Sequence, residues 1–106
     1  MRRGEVWWID FNPSVGGETH KVRPAIIISN DAANKILNRV QVVPITSNIT
    51  KCYPCEAFVE IEGKLNKAMA DQLATVSKLR LKSKIGRVAD DHIMAVENAV
   101  KIQLDL

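Results

Sequence analysis

The sequence predicts a mainly β domain with short helices, a compact curled β-barrel finished by a C-terminal helix. Three observations carry that prediction. Apolar and polar residues alternate over short runs, most clearly Glu56 to Glu62. Asn, Pro and Gly cluster between the runs, as turns require. After Asp90 the apolar spacing changes to the helical period. A chain of 106 residues with 46% hydrophobic composition fits one domain spanning residues 1–106. A domain of that size buries roughly 60–70% of its extended-chain surface.

Val6 to Phe11 reads as the first strand, with Trp7, Ile9 and Phe11 on one side and Val6 and Trp8 on the other, both sides partly buried. Asn12-Pro13-Ser14 and Gly16-Gly17 interrupt it. Arg23 to Ser29 reads as the second strand, with Pro24 near its beginning or at an edge, because proline donates no ladder hydrogen bond. Asn30 to Asn38 is a polar loop or a short helical turn, and Val40 to Ile45 the third strand. If these two strands pair symmetrically about their connection, opposed residue numbers sum to about 69 and Arg23 faces Thr46.

Glu56 to Glu62 places Ala57, Val59 and Ile61 on one face, Gly63-Lys64 makes a turn, and Asn66 to Ala70 returns as a strand. Ser77 to Lys82 is long enough for one helical turn, and Ile85 to Ala89 completes the sheet. Many short strands in so small a domain favour a curled barrel over an open sheet. The final helix is expected from about Asp91 to Gln103, capped by Asp90 or Asp91, with Ile93, Val96, Val100 and Leu104 packed on the barrel.

Fifteen basic and twelve acidic side chains give a net charge of only +3, so global charge argues weakly for nucleic acid. Distribution says more. Lys78, Arg80, Lys82, Lys84 and Arg87 occupy an interval without an acid, which suits either a phosphate-attracting surface or an ordinary solvated face. No apolar stretch reaches the roughly 17–25 residues of a membrane helix. The mixed segment after Arg2-Arg3 is too short for a signal-peptide core, so the expectation is a cytoplasmic protein without a membrane partner.

Cys52-Tyr53-Pro54-Cys55 permits incidental structural cysteines, a labile disulfide, or a metal or redox site. It has no second pair at metal-ligand spacing, and it falls between strands rather than in a βαβ unit. No metal and no cofactor are expected.

The run Gly16-Gly17-Glu18-Thr19-His20-Lys21-Val22-Arg23-Pro24 delivers an arginine to a loop-to-strand junction. Its planar guanidinium suits phosphoryl oxygens, and charge growing on a phosphoryl group in flight is stabilised by such a fixed cation. A structural salt bridge to Glu18 and simple anion binding are the alternatives. Thr46 or Ser47 suits phosphate positioning or strand-end capping, since neither hydroxyl is an intrinsic base. His20 has the right pKa range for proton transfer, Glu18 can orient Arg23 or receive a proton, and Lys21 can neutralise phosphate. Asp71-Gln72 lies on a strand or strand end, where it supports a turn or presents Gln72 to a base. No carboxylate cluster suggests a two-metal nuclease.

Taken in order, Arg3-Gly4-Glu5-Val6-Trp7, Gly17-Glu18, Arg23-Pro24-Ala25, Val43-Pro44-Ile45-Thr46, Asp71-Gln72 and the terminal helix resemble the MazF/PemK family of toxin endoribonucleases, and the resemblance covers nearly the whole chain. It implies an SH3-like β-barrel assembled as a homodimer. The implied activity is metal-independent, sequence-selective cleavage of single-stranded RNA, leaving a 2′,3′-cyclic phosphate and a 5′-hydroxyl and so inhibiting translation. Carried onto this chain, the resemblance implies Arg23 and Thr46 as principal catalytic residues, with Glu18 as a further one. His20, Lys21, Ser47, Asn48, Lys51 and Gln72 are the expected RNA-binding residues, and a cognate acidic antitoxin is the expected protein partner. A noncatalytic toxin that binds DNA topoisomerase and a plain RNA-binding module are readings of other classes that the same scaffold allows.

Overall fold

The computed structural model describes residues 1–13, 15–18 and 21–106. Among the described residues seven strands are formed: β1 (Glu5–Asp10), β2 (Val22–Ile27), β3 (Arg39–Thr46), β4 (Glu56–Ile61), β5 (Lys64–Met69), β6 (Ala74–Ser77) and β7 (Leu81–Arg87). Helix α1 (Asp31–Ile36) links β2 to β3, and α2 (Asp90–Leu104) follows β7. The strands run in the order β4-β5-β3-β2-β1-β7, with β6 pairing β3 off this path.

Curling follows from how β3 is shared. One flank of β3 pairs with β2. Its other partners divide it lengthwise, β6 taking Arg39 to Val42 and β5 taking Ile45 and Thr46. A strand that changes partner midway splits the sheet and lets its two halves turn toward each other, giving a curled antiparallel half-barrel. Register shifts flank Trp7 and Trp8 where β1 meets β7, and such irregularities add local twist.

Two buried apolar clusters form within the curl. Val6, Ile26, Val43, Ile45, Val59 and Val88 form one core with Ile93, Val96 and Ala99 of α2. Ile9, Ala25, Ile27, Val40, Val42, Val76 and Leu81 form the other, with Trp7 and Phe11 packed against it. The alternation expected of β1 holds, except that Trp8 is 42% exposed.

Several boundaries differ from expectation for identifiable reasons. The hairpin turn is Glu62-Gly63, both with positive φ as a type I′ turn requires, so β5 starts at Lys64. Asp71-Gln72 sits in a 3-10 turn (Ala70–Gln72), not on a strand. Strand β6 is additional, and only Val76 of its four residues is buried, which leaves no alternation to read. Strand β7 begins at Leu81 although Lys82, Ser83 and Lys84 are exposed, because pairing with β1 defines it. The turn expected over Ser77 to Lys82 is a 3-10 turn, Lys78–Arg80.

The α2 cap also differs: Ala89 holds the N-cap position without a side-chain bond, and Asp90 pairs with Arg87 at 3.2 Å. Asp90 and Asp91 occupy the first turn, where carboxylates favour the helix dipole. Val100 is half-buried and Leu104 is exposed, so Ala99 completes the apolar stripe instead.

The Asn30–Asn38 connection resolves into α1, whose N-cap Asn30 accepts from the Ala33 N–H at 2.8 Å. Asn30→Ala is expected to lower stability by about 1 kcal/mol, read as a shifted urea midpoint at unchanged slope. No shift would mean that this cap contributes nothing.

Candidate active site

Strand pairing builds the site. Ala25 lies opposite Pro44, Ile26 opposite Val43 and Ile27 opposite Val42, the register predicted from symmetric pairing. Continued two residues toward the strand ends, it sets Arg23 across from Thr46, while on its other flank Arg23 pairs with Ile9 of β1. Arg23, Thr46 and Ser47 line one cleft of about 520 Å³. Its walls are Trp8, Pro24, Ile45, Ile61 and Ile85, with Lys64 and Asn66 adding polar groups.

Arg23 is half-buried, and among the described residues no carboxylate or carbonyl occupies its guanidinium. The Glu18 salt bridge that loop spacing allows is not formed. Thr46 is half-buried, and its Oγ1 accepts from the Asn48 N–H at 3.2 Å. The capping role expected of this hydroxyl is therefore realised. It also leaves the hydroxyl proton available to donate, which suits binding an oxyanion better than acting as a base.

Beyond Thr46, the chain turns through Asn48, whose Oδ1 accepts from Thr50 N–H at 3.2 Å. Ser47, Asn48 and Lys51 are exposed on this connection. Lys21 is exposed, with φ 66°, and its N–H donates to Asn12 Oδ1 at 3.0 Å. His20 lies outside the described residues.

Glu18 and Gln72 are brought together elsewhere, in a second depression of about 400 Å³ with Phe11, Asp71, Thr75 and Arg80. Gln72 Nε2 donates to Gly17 O at 3.3 Å and so ties the glycine loop to the 3-10 turn. The sequence pattern thus merges two depressions into one site. It also misses Trp8, Lys64 and Asn66. Trp8 is legible in principle, because it pairs with Pro24, next to the arginine.

The basic run is largely committed to structure. Lys78 Nζ donates to Asn34 O, Arg80 Nη1 donates to Asp10 O at 3.0 Å and also to Asn12 O, Lys84 pairs with Glu5 at 3.1 Å, and Arg87 pairs with Asp90. Only Lys82 of the five is without a partner among the described residues. Burial pushes the Cys55 thiol up, and the nearby Asp71 and Glu56 carboxylates push the same way, which disfavours the thiolate needed for redox attack. Among the described residues, no three His, Cys, Asp or Glu side chains gather as a metal-binding set.

These features define a small curled antiparallel half-barrel with a C-terminal helix, whose cleft is lined by an arginine that has no counter-ion among the described residues. Residues 2–104 match the family described as PemK-like, MazF-like toxin of type II toxin-antitoxin system, and the chain belongs to that family. It is 38% identical to Endoribonuclease MazF9 of Mycobacterium tuberculosis, covering 100% of this chain and 98% of the relative. It is 39% identical to Endoribonuclease MazF of Staphylococcus saprophyticus, covering 100% and 92%. Among solved structures, an endoribonuclease in complex with its cognate antitoxin from Mycobacterial species superposes with a TM-score of 0.84 at 22% identity, covering 100% of this chain and 96% of that one. Among the described residues, no helix is long and apolar enough to cross a membrane.

Proposed function

We propose that this toxin is an endoribonuclease that cuts single-stranded RNA, mRNA above all, at the Arg23–Thr46 cleft in the cytoplasm, so inhibiting translation. The reaction is a metal-independent transesterification. The 2′-hydroxyl gives up its proton to solvent as its oxygen attacks phosphorus, the bond from phosphorus to the 5′-oxygen breaks, and the departing 5′-oxygen takes up a proton, so that no net proton is consumed. A 2′,3′-cyclic phosphate and a 5′-hydroxyl result. The observation that carries this reading is the half-buried Arg23 guanidinium, left without a protein counter-ion among the described residues, in a cleft that also presents the Thr46 hydroxyl.

Arg23 stabilises the charge that grows on the phosphoryl oxygens or protonates near the phosphate, and Thr46 donates a hydrogen bond that holds phosphate geometry. Ser47, Asn48 and Lys51 contact the RNA from the connection after Thr46. Lys21 and His20 serve it from the glycine loop. Glu18 and Gln72 act on a flanking nucleotide from the second depression, Glu18 by positioning substrate. Regulation rests on a cognate antitoxin whose acidic segment competes for the cleft, and the toxin works as a homodimer. Support comes from membership of a toxin family defined by toxin-antitoxin pairing and from two relatives named as endoribonucleases.

The test is incubation with diverse single-stranded RNAs in excess chelator, with both product ends mapped. Cleavage leaving the stated ends is expected, and Thr46→Ala is expected to slow it by about tenfold to a hundredfold, the scale of one lost hydrogen bond in the transition state. No cleavage across adequate RNA diversity would sink the proposal. Inhibition of DNA supercoiling with intact RNA would replace it with a topoisomerase-binding reading.

A further inference from the structure

The connection from Thr46 to β4, residues 47–55, carries three of the side chains proposed to meet RNA, yet it contains no helix or strand. Its first bonds are local: Asn48 N–H to Thr46 Oγ1 and Thr50 N–H to Asn48 Oδ1. Its last residue is held by backbone, Cys55 O accepting from the Ala70 N–H at 3.0 Å, and what ties residues 49–53 to the sheet among the described residues is one buried ion pair. Lys67 of β5 is 7% exposed. Its ammonium donates to Lys51 O at 2.8 Å and pairs with Glu56 Oε2 at 3.2 Å. The other carboxylate oxygen, Glu56 Oε1, accepts from the Tyr53 N–H at 2.9 Å, and the Glu56 N–H donates to Tyr53 O at 2.8 Å. Among the described residues, the hydrogen bonds that join 49–53 to the sheet therefore come from Lys67 and Glu56.

The register places this pair beside the chemistry. Thr46 is the direct ladder partner of Lys67, so the residue whose side chain holds Lys51 also aligns the strand end that presents Thr46. A lysine buried in a strand is costly unless its charge is matched and its donors are used, and a hydrophobic residue would fill the space at less cost. Both charges are engaged by loop backbone and by each other, so neither reaches a substrate phosphate.

We propose that Lys67 and Glu56 are positioning residues: together they clamp the 47–55 connection in the conformation that sets Ser47, Asn48 and Lys51 over the cleft, and so govern RNA affinity and the choice of cleavage sequence. This rests on the RNA-cleavage reading. Without the clamp, binding RNA must also order the loop, and that cost falls on substrate binding rather than on the Arg23 chemistry.

The test compares the unsubstituted protein with Lys67→Met/Glu56→Gln, which removes both buried charges together and leaves no uncompensated ion, and with Lys67→Arg alone, which keeps a cation at the same place. Steady-state cleavage is measured on an RNA oligonucleotide containing the protein's own mapped site and on a pool of scrambled sequences, alongside thermal melting and amide hydrogen exchange. For the double variant we expect KM to rise about tenfold with kcat within about threefold, new cleavage positions in the pool, and faster exchange across residues 48–53 at a near-native melting temperature. The arginine variant should recover most of the KM and the original positions. A folded double variant with unchanged KM and unchanged positions overturns the clamp while leaving RNA cleavage intact. If the double variant proves unfolded, Glu56→Gln alone decides: raised KM or new positions with faster exchange across 48–53 at a near-native melting temperature support the clamp, and native kinetics with native exchange across 48–53 overturn it. Failure of the unsubstituted protein to cut any RNA overturns the cleavage reading itself, and this inference with it.

Discussion

Arg23→Ala is expected to slow RNA cleavage by about 10²–10³ while the protein stays folded, because it removes a donor aimed at charge that develops only in the transition state. The two halves of this expectation come from different observations. The rate loss follows from the placement of Arg23 in the cleft with Thr46 and Ser47. The preserved fold follows from the absence, among the described residues, of any ion pair or hydrogen bond that uses its guanidinium. Stability should therefore change by no more than about 1 kcal/mol, in the range of substitutions outside the core. Arg23→Lys keeps the charge but loses the planar fork, so it should recover only part of the rate. Single-turnover rates beside melting curves check the whole set. A rate within about threefold of the unsubstituted protein would remove Arg23 from the chemistry, and a collapsed melting temperature would make it a structural residue.

The second large effect lies at Glu5, which does not itself line the cleft. Its side chain is mostly buried, and burial alone would raise its pKa. Bonds from Arg2 N–H at 3.0 Å, from Trp7 Nε1 at 3.0 Å and from the Lys84 ammonium at 3.1 Å outweigh that and bring it down to about 2. A carboxylate depressed in the folded state stabilises the fold above its unfolded value, near 4.5, and that contribution is lost as pH falls toward 2. The drop in pKa corresponds to about 3 kcal/mol at neutral pH.

Glu5→Gln should therefore destabilise the protein by about 2–3 kcal/mol at pH 7, and the deficit should shrink steadily between pH 4.5 and 2. Urea denaturation across that interval reads it directly. A deficit independent of pH would mean that Glu5 contributes through packing and neutral hydrogen bonds alone. Because Glu5 joins the start of β1 to Lys84 of β7, the same variant loosens the strand pair next to Trp8, which lines the cleft.

Much of the site is legible in the order of residues. Arg23 and Thr46 stand out because symmetric pairing of two strongly apolar strands leaves little freedom of register, since a one-residue slip turns every core side chain outward. Glu18 and Gln72 are harder. Both stand outside strands, in a loop and a 3-10 turn, so no period ties them to Arg23, and they settle in the second depression instead. Lys67 is hidden for the opposite reason. It sits at a regular strand position, where an isolated lysine reads as solvent-facing, and only the connection folding back over β5 buries it.

By itself the sequence determined the strand-rich class, the terminal helix and the register in which Ala25 to Ile27 meet Val42 to Pro44, since each follows from periodicity and turn chemistry acting over neighbouring residues. Tertiary structure alone decided the division of β3 between β5 and β6, the pairing of Lys84 with Glu5, and the clamp of Lys67 and Glu56 on the 47–55 connection. Those arrangements join residues distant in sequence through buried charge and backbone hydrogen bonds. Their stability depends on desolvation and geometry, which no local pattern encodes.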